Sequence, residues 1–393
     1  MEDIVILSAV RTAVGRYGGA LKSLNSGQLG AIVIQEAVKK AGLTKDQVAE
    51  VILGEVRQST ESSNVARVAA LRAGLSETIP AFTINRLCAS GMQAIASAAQ
   101  QIAFGQADLV VAGGTESMSN APIYLRNTRF GGDNAMLVDS NKEAGQQPNE
   151  IYGSHLGMGI TAENVAERFA ISREDQDDFA LKSQRRAAAA LEAGRFQEEI
   201  IPITVMNKKG ANTFVVDEHP RPETTMEALT KLNPVFKEDG TVTAGNACGR
   251  NDGAAAMVLT SASKAGKLGI KPMAKIVDWT AAGVSPEVMG IGPVPAVKKL
   301  LQRTGLTLDD IDLFELNEAF ASQALAVIRL LHLDPFKVNV NGGAIALGHP
   351  LGATGAKILT TLLFELKRRN GKRGIATLCV GGGQGMAMMV EII

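Results

Sequence analysis

Long apolar runs are missing from this chain. No uninterrupted stretch of its 393 residues reaches the roughly 20 that a membrane-spanning helix needs. The opening "MEDIVILSAVRTAVG" begins with acids and reads as a strand, not a signal peptide. Net charge is missing too, with 40 Lys plus Arg against 40 Asp plus Glu. That removes the global positive field that would hold nucleic acid or an anionic membrane, so neither partner is expected. A local basic patch for a phosphorylated small molecule stays open. Cysteine is scarce: Cys88, Cys248 and Cys379 are the three, and with no secretory feature they point to reduced thiols in a cytoplasmic setting. The four histidines are scattered without metal-ligand spacing, so no metal site is expected. The glycine runs fit neither a dinucleotide fingerprint nor a Walker loop, which leaves hydride transfer and nucleotide hydrolysis unsupported.

What the chain does have is length, ordinary globular composition (46% hydrophobic, 20% charged) and an internal repeat. "AIVIQEAVKKAGLTKDQVAEVILGEV" (31–56) matches "VPAVKKLLQRTGLTLDDIDLFELNEA" (294–319). Each reads as an amphipathic helix, a Gly-Leu-Thr break, an acidic turn and a strand. Further on, "NRLCASGMQAIASAAQQI" (85–102) matches "LGHPLGATGAKILTTLL" (347–363), with Cys88 three before Gly91 and His349 three before Gly352. Both lead to strands ending in glycines, "DLVVAGG" and "IATLCVGGG". Alternating helices and apolar strands predict a duplicated α/β architecture of βαβ-type units with mainly parallel sheets. Residues 119–249 differ in character, with a polar, Gly- and Asn-rich stretch and a charged helix pattern, and read as an insert that shapes a binding site or an oligomer contact.

The repeat gives meaning to two residues that are unremarkable singly. A lone cysteine is usually a small buried hydrophobe, and a lone histidine is usually structural. Here each precedes a helix whose apolar face is regular: Met92, Ile95, Ala99 and Ile102 in one, Leu359, Leu362, Leu363 and Leu366 in the other. Two halves packed about a pseudo-twofold axis would bring Cys88 and His349 together. A helix N-terminus and an imidazole would then lower the pKa of Cys88 and make it a nucleophile. Cys379 lies on a strand running into "GGGQG", whose amides could meet a ligand oxygen. Asn317 and Glu318 sit at the end of a strand where α/β sites form, although a turn-forming amide and a surface acid are the plainer readings.

The motifs "NRLCASGMQAI", "AGGTESMS", "GTVTAGNACGRNDGAAA", "NEAFA", "NGGAIALGHPLGATGA" and "CVGGGQGMAM" occur in the order found in thiolases, and the chain resembles that family over its whole length. The resemblance implies two duplicated halves in a five-layered αβαβα core: residues 1–118 with 250–270, and 271–393, with 119–249 as a loop domain over coenzyme A. It implies a homotetramer built from dimers, acyl-CoA substrates and no covalently bound cofactor. By the same resemblance Cys88 is the acylated nucleophile, His349 its base, and Cys379 the acid/base of the carbon-centred step. Asn317 positions a water that forms one oxyanion hole with His349, and the amides of Cys88 and Gly381 form the other. Arg221 lies against the adenine. Ala244, Gly245, Ala247 and Cys248 line the pantetheine channel, with Met158 and Phe320 joining them against the acyl-CoA. The implied reaction is reversible and ping-pong: two acetyl-CoA condense to acetoacetyl-CoA, or coenzyme A cleaves a 3-ketoacyl-CoA.

Two departures from the acetoacetyl-forming pattern stand out. Gly157 replaces a histidine before the "TAEN" helix, with His155 two residues early, and Cys248 replaces a serine. The first opens the chain-length preference toward longer 3-ketoacyl-CoA. The rival readings are a decarboxylating ketoacyl synthase, which would want His or Asn where Cys379 stands, and a non-catalytic acyl-CoA carrier.

Overall fold

The computed structural model describes residues 2–132, 134–143, 145–207 and 210–393. The Gly-Leu-Thr breaks show how the repeat is built locally. In the first copy, helix Ser26–Lys40 starts on an Asn25–Gln28 capping box and stops before Gly42, whose φ of 71° suits glycine. Thr44 then opens a short turn, its amide donating to Gln47 Oε1 at 2.8 Å, ahead of strand Glu50–Gly54. In the second copy, helix Pro293–Thr304 begins on proline and stops at Gly305 with φ 70°. Thr307 opens the turn by donating its amide to Asp310 Oδ2 at 2.8 Å, ahead of strand Leu313–Leu316. Glycine ends the helix and threonine starts the turn in both.

The strands run in the order 313–316, 373–380, 384–392, 274–283, 4–12, 251–261, 109–117, 50–54, 81–84. The two half-sheets join where Ile4–Ile6 pairs with Ala274–Ile276. Helices 26–40 and 65–72 cover the outer face of the first half-sheet, and helices 293–304 and 321–331 that of the second. Helices Ser90–Ala103 and Leu351–Arg369 are sandwiched between the two inner faces. The layers are therefore αβαβα. One expectation is corrected. Strand 50–54 is parallel to both neighbours and 313–316 is parallel to 373–380, but the strands that complete each half are antiparallel. Strand 384–392 returns beside 373–380 through Gly381–Gly383 with no crossover helix, and a tight turn can only join antiparallel strands.

The central helices set the site. Met92, Ile95 and Ala99, and Leu359, Leu362, Leu363 and Leu366, are fully buried in one cluster. Their N-terminal turns touch backbone to backbone: a Cβ on Gly91 would lie 2.8 Å from the Gly352 carbonyl, and one on Gly355 2.5 Å from the Met92 nitrogen. Glycine at these positions lets the two helix starts meet. Within residues 119–249 lie the hairpin Ile123–Arg126 with Met136–Asp139 and helices Met158–Arg168 and Arg173–Glu192. The second helix is anchored to the second half where Ser183 Oγ donates to Glu318 at 2.7 Å and Arg186 to the Val338 carbonyl at 2.8 Å.

Candidate active site

Cys88 sits in a tight turn between strand Ala81–Ile84 and helix Ser90–Ala103. Leu87, just before it, has φ 47°, a left-handed conformation costing roughly 1–2 kcal/mol for a residue with a Cβ. The turn is pinned by Ser90 Oγ, which accepts from the Arg86 amide at 2.9 Å and donates to the Leu87 carbonyl at 2.6 Å. The backbone amides of Cys88 and Gly381 both point at the sulfur. Even so, burial pushes the Cys88 thiol up to about 11, against the pull of those amides and of the Arg57 charge. This corrects the expectation of a depressed pKa. Desolvation of the thiolate outweighs the dipolar help, and Cys88 rests as a thiol.

His349 lies at the start of the other central helix. Its amide donates to Asn251 Oδ1 at 2.9 Å, and Gly348, with φ 91°, packs where a Cβ would strike the Asn251 side chain. Burial, then the nearby Lys357 charge, push the imidazole down to about 3, so it stays neutral. Thr354 Oγ1 donates to the Pro350 carbonyl at 2.8 Å, which spends its one hydrogen. It therefore accepts from His349 Nδ1, 2.6 Å away. This network assigns the Nδ1–H tautomer and leaves the Nε2 lone pair as the basic site. Asn317 Nδ2 lies 3.5 Å from Nε2, and Asn317 Oδ1 is buried without a protein partner.

Cys379, 1% exposed, lies one residue before the end of strand Arg373–Val380 in an apolar cluster with Met289, Ala319 and Phe320. Burial and the neighbouring Cys88 and Cys248 sulfurs hold its thiol well above the ordinary value. Burial likewise pushes Cys248 up to about 12. Glu318 is buried, not a surface acid: it accepts from Ser183, Asn339 Nδ2 (2.8 Å) and the Ile345 amide (3.2 Å), and so holds the loop before His349.

Cys88, Cys248, His349, Cys379, Met158 and Phe320 line one cavity of about 500 Å³. Arg221, Ala244, Gly245, Ala247 and Cys248 line a second, of about 760 Å³, with His219 and Arg16. The two share Phe236, Cys248 and Gly249 and therefore meet there. Phe236 stacks edge-on to Phe320 with ring centroids 6.3 Å apart. Met158 and Phe320 thus belong to the first cavity, not to the one that holds Arg221. Asn317, buried, lies beside His349 and lines neither cavity, and Gly381 touches the site through its amide. His155 lines the first cavity although it is displaced in sequence. A Cβ on Gly157 would meet nothing within 4 Å, so this position leaves open space.

Sequence reading missed Thr354, Phe236 and His219. Thr354 had a signal: it stands four residues after Pro350, where a helical hydroxyl bonds back to the i−4 carbonyl. Phe236 and His219 lie in the insert, whose path over the core no periodicity reveals.

Two duplicated α/β halves bring a cysteine thiol, a neutral imidazole and a second thiol to one cavity, and the protein is an acyl-transfer enzyme. The chain belongs to the thiolase family: the model of the thiolase N-terminal domain matches residues 4–263 and that of the C-terminal domain residues 270–392. An acetyl-CoA acetyltransferase of Syntrophomonas wolfei subsp. wolfei is 51% identical over 398 aligned residues covering 100% of both chains. The crystal structure of the Bacillus anthracis acetyl-CoA acetyltransferase superposes with a TM-score of 0.97 at 48% identity, over 100% of this chain and 99% of that one. That of human mitochondrial 3-ketoacyl-CoA thiolase in complex with CoA does so with a TM-score of 0.95 at 46% identity, over 100% and 98%.

Proposed function

We propose that this chain condenses two acetyl-CoA to acetoacetyl-CoA and, in reverse, cleaves 3-ketoacyl-CoA with coenzyme A, through an acyl group carried on Cys88. The observation that carries this reading is the single cavity holding Cys88, His349 and Cys379, joined at Cys248 to a second cavity lined by Arg221 and the Ala244–Ala247 turn. A pantetheine arm can run from the second into the first, which supports coenzyme A contacts from residues 119–249 acting as a loop domain.

In thiolysis, Cys88 sulfur attacks the 3-keto carbon as its proton passes to His349 Nε2. The oxyanion meets the amides of Cys88 and Gly381, and a water held between Asn317 and His349 serves the other oxyanion. Such donors are each worth about 10²–10³ in rate. The C2–C3 bond then breaks, and C2 takes a proton from Cys379. A thiol held above its ordinary pKa is protonated and ready for this. Coenzyme A sulfur next attacks acyl-Cys88, giving its proton to the Cys379 thiolate, and Cys88 recovers its own proton from His349. Condensation runs the same steps backwards, with Cys379 removing the α-proton.

The free thiols support a cytoplasmic setting, and cleavage of 3-ketoacyl-CoA supports a place in fatty-acid metabolism. The hairpin at 123–139 exposes Ile123, Leu125, Phe130 and Leu137, an apolar surface that supports assembly into a tetramer. The test is loss of absorbance of the magnesium complex of acetoacetyl-CoA on adding coenzyme A. Turnover supports the reading, and acyl-CoA binding without turnover overturns it in favour of a carrier.

The open space at Gly157 favours a second reading, a degradative thiolase for longer chains. On it, 3-ketohexanoyl-CoA is cleaved within about tenfold of acetoacetyl-CoA in kcat/KM. Activity confined to the four-carbon substrate contradicts it.

A further inference from the structure

His349 owes its place to the other half of the molecule. Helix Leu351–Arg369, which starts two residues after it, has Pro350 at its N-cap and so no side-chain cap of its own. A cap arrives instead from strand Leu109–Ser117: Glu116 Oε2 accepts the Gly352 amide at 2.8 Å. The same oxygen accepts the Val56 amide at 3.1 Å, and Oε1 accepts the Arg57 amide at 3.0 Å. One fully buried carboxylate therefore ties the start of the His349 helix to the chain that leaves strand Glu50–Gly54. Val56 and Arg57, the two residues it holds there, line the cavity of Cys88. Gly114 belongs to the same fit, because a Cβ there would strike the Gly352 carbonyl. In the ladder Glu116 lies opposite Gly253, two residues after the Asn251 that accepts the His349 amide at 2.9 Å. Two neighbouring strand ends of the first half thus grip residues 349 and 352. The Cys88 turn needs no such help, since Ser90 pins it from within its own segment.

Three N–H donors converge on two oxygens, and only a carboxylate offers acceptors on both. Burial pushes the Glu116 pKa up, against the pull of those amides. A protonated acid would turn an O–H toward a donor, so the geometry is that of the ionised form. Glu116 lines neither cavity and cannot touch a substrate. We propose that Glu116 is a positioning residue that sets the alignment of His349 with the Cys88 sulfur across the junction of the two halves. This rests on the thiolase reading above, in which His349 takes the Cys88 proton. Without the tie, the start of the His349 helix keeps Asn251 alone as its grip on the first half. A misplacement on the order of 1 Å at a reacting group costs about 10²-fold in rate. Glutamine can turn its carbonyl to the Oε2 site and keep the Val56 and Gly352 amides, while its NH2 group faces the Arg57 amide. Methionine fills a similar volume and holds none of the three.

The test is a double-mutant cycle between Glu116 and His349. The rate at which saturating acetyl-CoA acetylates Cys88 is followed by mass spectrometry in the wild type, Glu116→Met, His349→Ala and the double variant. Steady-state kcat and KM are measured beside it, with Glu116→Gln as the conservative variant. Glu116→Met should slow acetylation by about 10–100-fold and lower kcat with KM little changed. In the His349→Ala background the same substitution should cost no more than about twofold, because the group it aligns is gone. Glu116→Gln should recover most of the loss. If Glu116→Met does not fold, the cycle is run with Glu116→Gln, whose smaller loss should likewise vanish without His349. Equal slowing with and without His349 overturns the proposal and leaves Glu116 a role in packing alone. So does a raised KM at unchanged kcat, or a glutamine variant as slow as the methionine one. A wild type that acetylates Cys88 no faster than Glu116→Met sinks this proposal alone, whereas a wild type that takes no acetyl on Cys88 sinks the thiolase reading with it.

Discussion

On the proposed mechanism Cys88 acts as a resting thiol, and its raised pKa has a measurable consequence. The thiol is raised to about 11, Cys248 to about 12, and Cys379 well above the ordinary value. Iodoacetamide should therefore label Cys88 first, and acetyl-CoA should protect it. Below its pKa the thiolate fraction grows about tenfold per pH unit, so the labelling rate should keep climbing through about pH 9. A plateau from about pH 6 to pH 8 would instead reveal a thiolate–imidazolium pair at rest, and peptide mass spectrometry decides which cysteine reacted. Thr354 gives a second test. Thr354→Val keeps the shape of the side chain but removes the acceptor that holds His349 Nδ1–H, freeing the ring to adopt the tautomer with Nε2 protonated. kcat should fall by about 10–100-fold with KM little changed, and Thr354→Ser should restore it. An equal loss in the serine variant would mean that Thr354 acts through packing. The sequence placed Cys88 and His349 at helix starts, but the Cys88 pKa was out of its reach. The thiol shares its cavity with residues distant in sequence, Asn141, Gln146, Met158 and Phe320 among them.

At the scale of elements, the repeat was legible because each helix stop is local chemistry: Gly42 and Gly305 end helices, and Thr44 and Thr307 open turns. Strand direction was less legible, since 384–392 reads as apolar whichever way it runs, and only the Gly381–Gly383 turn forces it antiparallel. The junction between halves holds an acid pair that no spacing announced. Glu116, on strand 109–117, accepts the Gly352 amide at the start of the His349 helix, and Glu55 lies beside it. Burial, then the Glu116 charge, push Glu55 up to about 8. The unfolded chain releases this proton near 4.5 while the folded chain keeps it to about 8, so stability falls as pH rises across that window. The midpoint of urea unfolding should drop between about pH 6 and pH 8.5 in the wild type and drop less in Glu55→Gln. Equal slopes in the two proteins would show that Glu55 ionises freely.

The whole molecule makes one site from two halves: the first supplies Cys88, the second His349, Asn317 and Cys379, and the contact between Gly91 and Gly352 brings them together. The insert adds Met158, Phe236 and most of the cavity that holds Arg221, and its path over the core was the part least readable from sequence, because its elements take their places from contacts such as Ser183 with Glu318. The central claim is a division of labour between two cysteines. Acylation needs a nucleophile, a base and an oxyanion hole, whereas the carbon-centred step alone needs a proton carrier at Cys379. Cys379→Ser keeps the size of the side chain but replaces the thiol with an alcohol too weakly acidic to exchange protons near neutrality. The decisive measurement is intact-protein and peptide mass spectrometry of Cys379→Ser after mixing with acetyl-CoA, alongside its rate of acetoacetyl-CoA cleavage. Acetyl should accumulate on Cys88 while cleavage falls by about 10²–10⁴-fold. No acetyl on Cys88 in Cys379→Ser, with the Cys88→Ser variant still taking up acetyl, would contradict the account and exchange the two roles.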